Sequence, residues 1–259
     1  MSEINSEFTA HNVLLADGTQ TLASAGYFMN QHPWFLATVR MLRAVYPGGL
    51  KGVRMVDLGC LEGGYSIEFA RLGMDVLGLE IRESNFRNCM HVKSRSNLDN
   101  LKFVQDDAWN VERYGRFDVV LCFGLLYHLD KPTSFLHMLG DVCNKALFVH
   151  THIAPVEASK AFDLSAMTQH EDAEGRWYTE YPDGLRVDRS ASKWASLENN
   201  RSFWLRKEFV LGAIRDSGFD IVVEQYDWLG SQIADEMLRG MYTTSHRNMF
   251  VGIKSGENP

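Results

Sequence analysis

The sequence has no surplus of positive charge. Its 26 Lys and Arg stand against 33 Asp and Glu, leaving 26 − 33 = −7 at neutral pH. Without a broad cationic field, nonspecific gripping of nucleic acid is not expected, although a local basic patch could still serve one specific RNA. A long hydrophobic run is also missing. The longest, Val119 to Tyr127, is interrupted by Gly124 and falls far short of the ~20 residues that cross a bilayer. Met1 to Thr9 carries Glu3 and Glu7 and has no basic start followed by an apolar stretch, so no secretory signal is expected. Cysteines number four, Cys60, Cys89, Cys122 and Cys143, with no close pairing and no metal-ligand spacing. Cys60 and Cys122 fall in apolar, strand-like stretches, where a thiol is ordinarily core filler. These absences predict a soluble cytoplasmic protein, an enzyme.

What is present is core material. The chain is 45% hydrophobic and 12% aromatic over 259 residues, enough for one large core. Short apolar runs alternate with helical patterns: strands over Arg54–Gly59, Asp75–Glu80, Leu101–Asp107, Phe117–Gly124 and Ala146–Thr151, and helices over Gly64–Leu72, Glu83–Ser94 and from Pro132 to Val142. Such alternation indicates βαβ units and a mostly parallel sheet. The Phe117 run is almost wholly apolar, as expected of a strand buried on both faces. The rhythm stops between about Ile153 and Ser202, a stretch holding Phe162, Trp177, Tyr178, Tyr181 and Trp194. So many aromatics predict an ordered insertion over the active site, spanning 152–203. The rhythm resumes with a helix over Lys207–Asp216, stopped by Gly218, and two closing strands, Ile221–Tyr226 and Asn248–Ile253. Residues 1–50 are read as a cap segment. It has a turn at Asp17-Gly18 and a helix between Tyr27 and Tyr46 that buries Trp34, Val39, Leu42 and Val45. Residues 51–259 are read as the main domain.

The segment richest in chemistry is Val56-Asp57-Leu58-Gly59-Cys60-Leu61-Glu62-Gly63-Gly64, between the first strand and first helix. Glycines there allow the backbone to approach a ligand, and open parallel sheets bind ligands at strand carboxyl ends. A dinucleotide fold calls for G-x-G-x-x-G to seat a pyrophosphate. Here Leu61 takes the second glycine's place, and Asp57 would repel a phosphate. A carboxylate suits a ligand with a cationic ammonium end.

On these residues the chain resembles the class I S-adenosylmethionine-dependent methyltransferases, whose D/E-x-G-x-G-x-G motif is matched by Asp57, Gly59 and Gly63, with Leu61 departing from it. The resemblance implies a Rossmann-like, doubly wound, seven-stranded α/β sheet and S-adenosyl-L-methionine as cofactor, leaving S-adenosyl-L-homocysteine. It places Glu80, 21 residues after Gly59, at the ribose, where two carboxylate oxygens suit two hydroxyls. It sets Asp106, Asp107 and Ala108 around the adenine, and adds Cys60 and Phe123 to the cofactor wall. The run Phe117 through Gly124-Leu-Leu-Tyr127-His128 also resembles this family.

A hydroxyl acceptor needs its proton removed, for which histidine is suited near neutrality. His128 follows the fourth strand. His150 and His152 end the fifth, and alternation puts both on one face. Each is a candidate base, substrate contact or packing group; a metal held by His150 and His152 lacks a third ligand, and none is assigned. For the acceptor, Tyr127, Asn200, Arg201 and Trp204 are candidates to stack and hydrogen-bond. The Asn199–Trp204 stretch and the Leu-Tyr-His run are also similar to tRNA wobble-uridine carboxymethyl-forming enzymes. The insertion carries six Lys/Arg against nine Asp/Glu, however, which does not invite a polyanion. The expected activity is O-methylation of a small molecule, a sugar or secondary metabolite. A tRNA-modifying enzyme and a non-catalytic adenosylmethionine-binding protein are the alternatives, and a homodimer is compatible with each.

Overall fold

A computed structural model describes residues 7–157, 161–182, 184 and 187–256. The chain divides into two compact units, residues 1–114 and 115–259.

In the first unit, α1 (Pro33–Val45) begins with proline at its first position and His32 as cap, whose Nδ1 accepts the Trp34 N–H. A proline there forfeits no helical hydrogen bond. Its buried face is Phe35, Ala37, Thr38, Val39 and Leu42. Val39 and Leu42 are thus inside as expected, whereas Trp34 and Val45 are half-buried, Trp34 resting edge-on against His32. The helix is shorter than the sequence suggests, because a separate 3-10 turn takes Met29–Gln31. Then follow β1 (Arg54–Leu58), α2 (Gly64–Arg71), β2 (Asp75–Leu79), α3 (Glu83–Ser94) and β3 (Leu101–Val104). β1 pairs parallel with β2, Arg54 opposite Asp75, and β2 with β3, Val76 opposite Leu101. β3 stops at Val104, short of the expected Asp107, and Ala108–Tyr114 forms a 3-10 helix instead.

The second unit opens with β4 (Phe117–Phe123), buried at every residue but the half-buried Asp118. α4 (Pro132–Val142) starts on a proline and buries Phe135, Leu136 and Leu139. Sequestering each such side chain stabilises the unit by ~1.5–3 kcal/mol. β5 (Cys143–His152) runs parallel to β4. The aromatic-rich stretch holds a separate antiparallel sheet of β6 (Thr168–His170), β7 (Ala173–Thr179) and β8 (Arg201–Leu205). α5 (Lys207–Asp216), β9 (Ile221–Gln225), the short helices α6 (Ile233–Leu238) and α7 (Met241–Thr244), and β10 (Arg247–Ile253) complete the chain.

The seven-stranded sheet has the order β3-β2-β1-β4-β5-β10-β9. Its last strand in sequence, β10, is antiparallel to both β5 and β9. The sheet is therefore mixed but mostly parallel, with helices between its strands. No helix among the described residues is long and apolar enough to cross a membrane.

Candidate active site

The first unit builds a cradle from the turn after β1. Gly59, Leu61 and Gly63 all have left-handed backbones, with φ of 63°, 54° and 75°. Glycine takes this conformation freely, while for leucine it costs about 1–2 kcal/mol. The glycine-type turn therefore forms, with Leu61 strained in the place the motif gives to glycine. Glu80, one residue past β2, supports that turn. Its Oε2 accepts the Leu61 N–H at 2.9 Å and its Oε1 the Arg82 N–H at 2.8 Å. Burial raises its pKa to about 7 against the pull of those N–H groups. Each oxygen has a second acceptor position, so Glu80 suits the expected pair of hydroxyls.

Other expected cofactor residues are engaged differently. The Asp57 carboxylate lies 2% exposed and accepts the Ser66 hydroxyl at 2.6 Å; burial lifts its pKa to about 6. It thus ties β1 to α2 instead of lying open to an ammonium group. Cys60 is buried with its sulfur 3.7 Å from that of Cys89, and burial raises its pKa. Its thiol belongs to the core, which leaves its backbone as the part that lines the turn. The Asp106 carboxylate is taken up by Tyr114 and Asn110, at 2.7 Å each, and by the Asp107 N–H at 2.8 Å. Asp107 caps the 3-10 helix by accepting the Trp109 N–H at 3.0 Å, and Ala108 is buried behind it. Glu62, within the motif, and His11 were given no role from the sequence. Glu62 has no exposed surface, and His11 Nδ1 accepts the Gly64 N–H at 3.0 Å.

The second unit builds a wall of rings. His128 closes a 3-10 turn after β4 and places its Nδ1 2.7 Å from Glu180 Oε1. Glu180 also accepts the Ser202 hydroxyl at 2.9 Å and the Ser196 N–H at 3.1 Å. A carboxylate can only accept, so the Nδ1–H donates to Glu180 and Nε2 is the ring nitrogen left for another partner. Tyr127 lies against His128, ring centroids 4.2 Å apart, and meets His152 edge-on at 4.7 Å. The Arg247 guanidinium sits 5.3 Å from the Tyr127 ring centre and donates to its hydroxyl at 3.3 Å. Burial first, then Arg247 and His128, bring the His152 pKa down to about 4, so His152 is neutral at physiological pH.

Three expectations change here. His150 is 1% exposed and packs edge-on against Phe123 at 5.7 Å; both belong to the interior at the ends of their strands. Trp204 is 2% exposed, with one face stacked on His152 at 4.7 Å and Tyr178 stacked parallel to it at 5.0 Å. Its faces are taken, so it supports the wall and does not stack on an acceptor. Asn200 and Arg201 are exposed: Asn200 Oδ1 accepts from Arg189, and Arg201 lies over the Trp177 ring at 4.9 Å. Glu180 and Arg247 are wall residues the sequence did not reveal, whereas Phe162 and Tyr178 were visible as aromatics of the insertion. Among the described residues, no cluster of three His, Cys, Asp or Glu is arranged to hold a metal.

Asp57, Glu62 and Glu80 are all buried on or beside one short loop. Three carboxylates there oppose a pyrophosphate.

Comparison with known proteins agrees. Residues 50–175 match the family described as "Methyltransferase domain". The chain is 33% identical over 102 residues to a ubiquinone biosynthesis O-methyltransferase of Psychrobacter cryohalolentis, covering 38% of each. It is 29% identical over 133 residues to the Acinetobacter baumannii protein of that name, covering 48% of this chain and 56% of that one. The chain thus spans about four- to six-tenths of the length of these curated relatives. Among solved structures, the adenosylhomocysteine-bound N-terminal domain of EvdMO1 superposes with TM-score 0.62 at 23% identity, over 90% of this chain and 85% of that one. Magnesium protoporphyrin IX methyltransferase from Synechocystis PCC 6803, also with adenosylhomocysteine, gives 0.52 at 16%, over 86% and 84%. The likeness to tRNA wobble-uridine enzymes has no counterpart in these matches. Residues 50–175 thus match a methyltransferase domain, and the mostly parallel seven-stranded sheet is the fold shared with these adenosylhomocysteine-bound structures.

Proposed function

We propose that the protein methylates a hydroxyl of a small molecule of the sugar class, with His128 as base and Glu180 as the group that orients it. The observation carrying this reading is the 2.7 Å contact between His128 Nδ1 and Glu180. It leaves Nε2 as the basic nitrogen of a ring held by a buried carboxylate, the arrangement a general base requires.

Glu80 and the Gly59–Gly64 turn would hold the cofactor, with Asp107 and Ala108 toward its base. When bound, the cofactor supplies an activated methyl on a sulfonium, which becomes a neutral thioether as the methyl leaves. The chain's own tasks are alignment and proton removal. His128 Nε2 would take the acceptor's hydroxyl proton, leaving the acceptor oxygen as the nucleophile for that methyl, and Glu180 would stabilise the resulting imidazolium. Tyr127, His152 and Arg247 offer a mixed aromatic and hydrogen-bonding surface, of the kind that grips a sugar ring by its apolar face and its hydroxyls. His152, neutral at working pH, orients the acceptor and does not compete as the base. The 152–203 segment, which contributes Glu180 and Ser196, acts as the cover that excludes water.

Two likenesses support an oxygen acceptor of this kind: the curated relatives are named O-methyltransferases, and the EvdMO1 domain was also crystallised in the presence of D-fucose. The test is incubation with methyl-labelled adenosylmethionine and, separately, cell tRNA, a small-molecule extract and D-fucose-containing glycosides. Label in a sugar fraction supports the reading, and label in tRNA overturns it.

A further inference from the structure

Directly after the strained Leu61 comes Glu62, a fully buried carboxylate with no part in the chemistry above. Its Oε1 accepts the Thr9 N–H at 2.7 Å and the Thr9 hydroxyl at 3.0 Å. Its Oε2 accepts the N–H groups of Ala10 at 3.0 Å and His11 at 2.9 Å. The same short segment is fastened at both ends. Asn88 on α3 donates to the Glu7 carbonyl at 3.1 Å, and the His11 ring accepts the Gly64 N–H. A Cβ on Gly64 would sit 2.6 Å from His11 Cγ, so only glycine lets the ring come this close.

We propose that Glu62 is a positioning residue that clamps Leu61 into its left-handed conformation, and so makes cofactor affinity depend on docking of the segment 7–11. This rests on the reading that the Gly59–Gly64 turn lines the cofactor. Released, leucine relaxes toward negative φ. That relaxation swings the Leu61 N–H away from Glu80, and with it the support for a carboxylate the cofactor needs. A glycine at 61 stays left-handed unaided, so it makes the clamp dispensable. Coupling is reciprocal: bound cofactor holds the segment docked as strongly as the segment holds the turn.

The test measures adenosylhomocysteine binding to the chain by titration calorimetry, and chymotrypsin cleavage after Phe8 with and without that ligand. Glu62→Gln puts an amide among N–H donors and is expected to weaken binding about tenfold, within the usual range for coupled elements. Leu61→Gly alone sets the affinity against which the double variant is read. The Leu61→Gly, Glu62→Gln double variant is expected to recover to within about threefold of Leu61→Gly, a non-additivity that loss of stability alone does not produce. If Glu62→Gln fails to fold, deletion of residues 1–10, with and without Leu61→Gly, puts the same question. A double variant as weak as Glu62→Gln, or a folded Glu62→Gln of unchanged affinity, overturns the clamp while leaving the cofactor reading intact. A wild-type chain that binds no adenosylhomocysteine overturns both.

Discussion

The two units each bury a glutamate at the heart of their site, and they employ it differently. In the first, Glu80 accepts two backbone N–H groups, from Leu61 and Arg82. In the second, Glu180 accepts an imidazole Nδ1, a serine hydroxyl and one backbone N–H. A carboxylate engaged by backbone fixes the shape of a loop, whereas one engaged by a histidine fixes a tautomer and hence a reactivity. On the proposed reading the cradle is a place for binding and the ring wall a place for chemistry. Substitutions should separate along that line.

The largest separation is expected at His128. His128→Asn removes the base and should lower kcat by about 10²–10⁴, the usual contribution of a positioned general base. Glu180→Gln keeps the ring but loses the charge that orients it and stabilises its protonated form, so it should fall in the same range, nearer the lower end. Both variants should bind adenosylhomocysteine as wild type does, measured by calorimetry beside initial rates of label transfer. A parallel loss of cofactor affinity would erase the division between the units.

Glu80→Gln should give the converse result. It exchanges charged hydrogen bonds, worth about 1.5–3 kcal/mol each, for neutral ones. Cofactor affinity should drop by about 10–100-fold, while kcat at saturating cofactor changes little.

How far each half was legible follows from the distances involved. The cradle is local: Gly59, Glu80 and Asp107 sit just past successive strands, and their spacing is visible along the sequence. Even there, spacing could not say that Asp57 would turn to Ser66 or that Asp106 would be taken up by Tyr114 and Asn110. The wall is not local, since Glu180 meets His128 across 52 positions from a segment without strand–helix rhythm. One cause of that silence is the hairpin joining β6 to β7. It turns through Glu171 and Asp172, both left-handed at φ of 50° and 60°, without the glycine that ordinarily marks such a turn. Trp204 was visible as an aromatic near the acceptor, but no pattern could show that His152 and Tyr178 stack on it.

The two units should also answer pH in opposite directions. The His152 pKa is lowered to about 4, mainly by burial. Its contribution to stability is complete above the unfolded value of 6.5 and is lost as pH falls through 4. Glu80 and Asp57 are raised, to about 7 and about 6; their contribution is complete below their unfolded values and is lost as pH rises through the folded ones. His11, lowered to about 4 by burial, is an acid-sensitive exception inside the first unit. His152→Asn should therefore shrink the Tm difference between pH 8 and pH 5 by roughly 2–4 °C, a modest change because the ring is partly exposed. Glu80→Gln should instead flatten the decline between pH 5 and pH 8. Thermal melts across that range read both, and equal slopes in all three proteins would contradict the assignment.

The smallest effect is expected where the sequence pointed most directly to acceptor recognition. Asn200 and Arg201 stand beside Trp204 and look like ligands for a polar ring, yet both are exposed and engaged on the surface, with Arg189 and with the Trp177 face. A cation over an aromatic face at an exposed site is worth about 0.5–1 kcal/mol. Arg201→Ala should thus lower stability by no more than that. Asn200→Ala should cost less still, since its backbone carbonyl, which accepts the Glu180 N–H at 2.9 Å, is unchanged. KM for the acceptor should stay within about twofold in both, whereas Tyr127→Ala, which opens the wall itself, should raise it well beyond that. A tenfold rise in KM for Arg201→Ala would mean that the acceptor reaches across β8 to the outer face, and that the ring wall is not its principal contact.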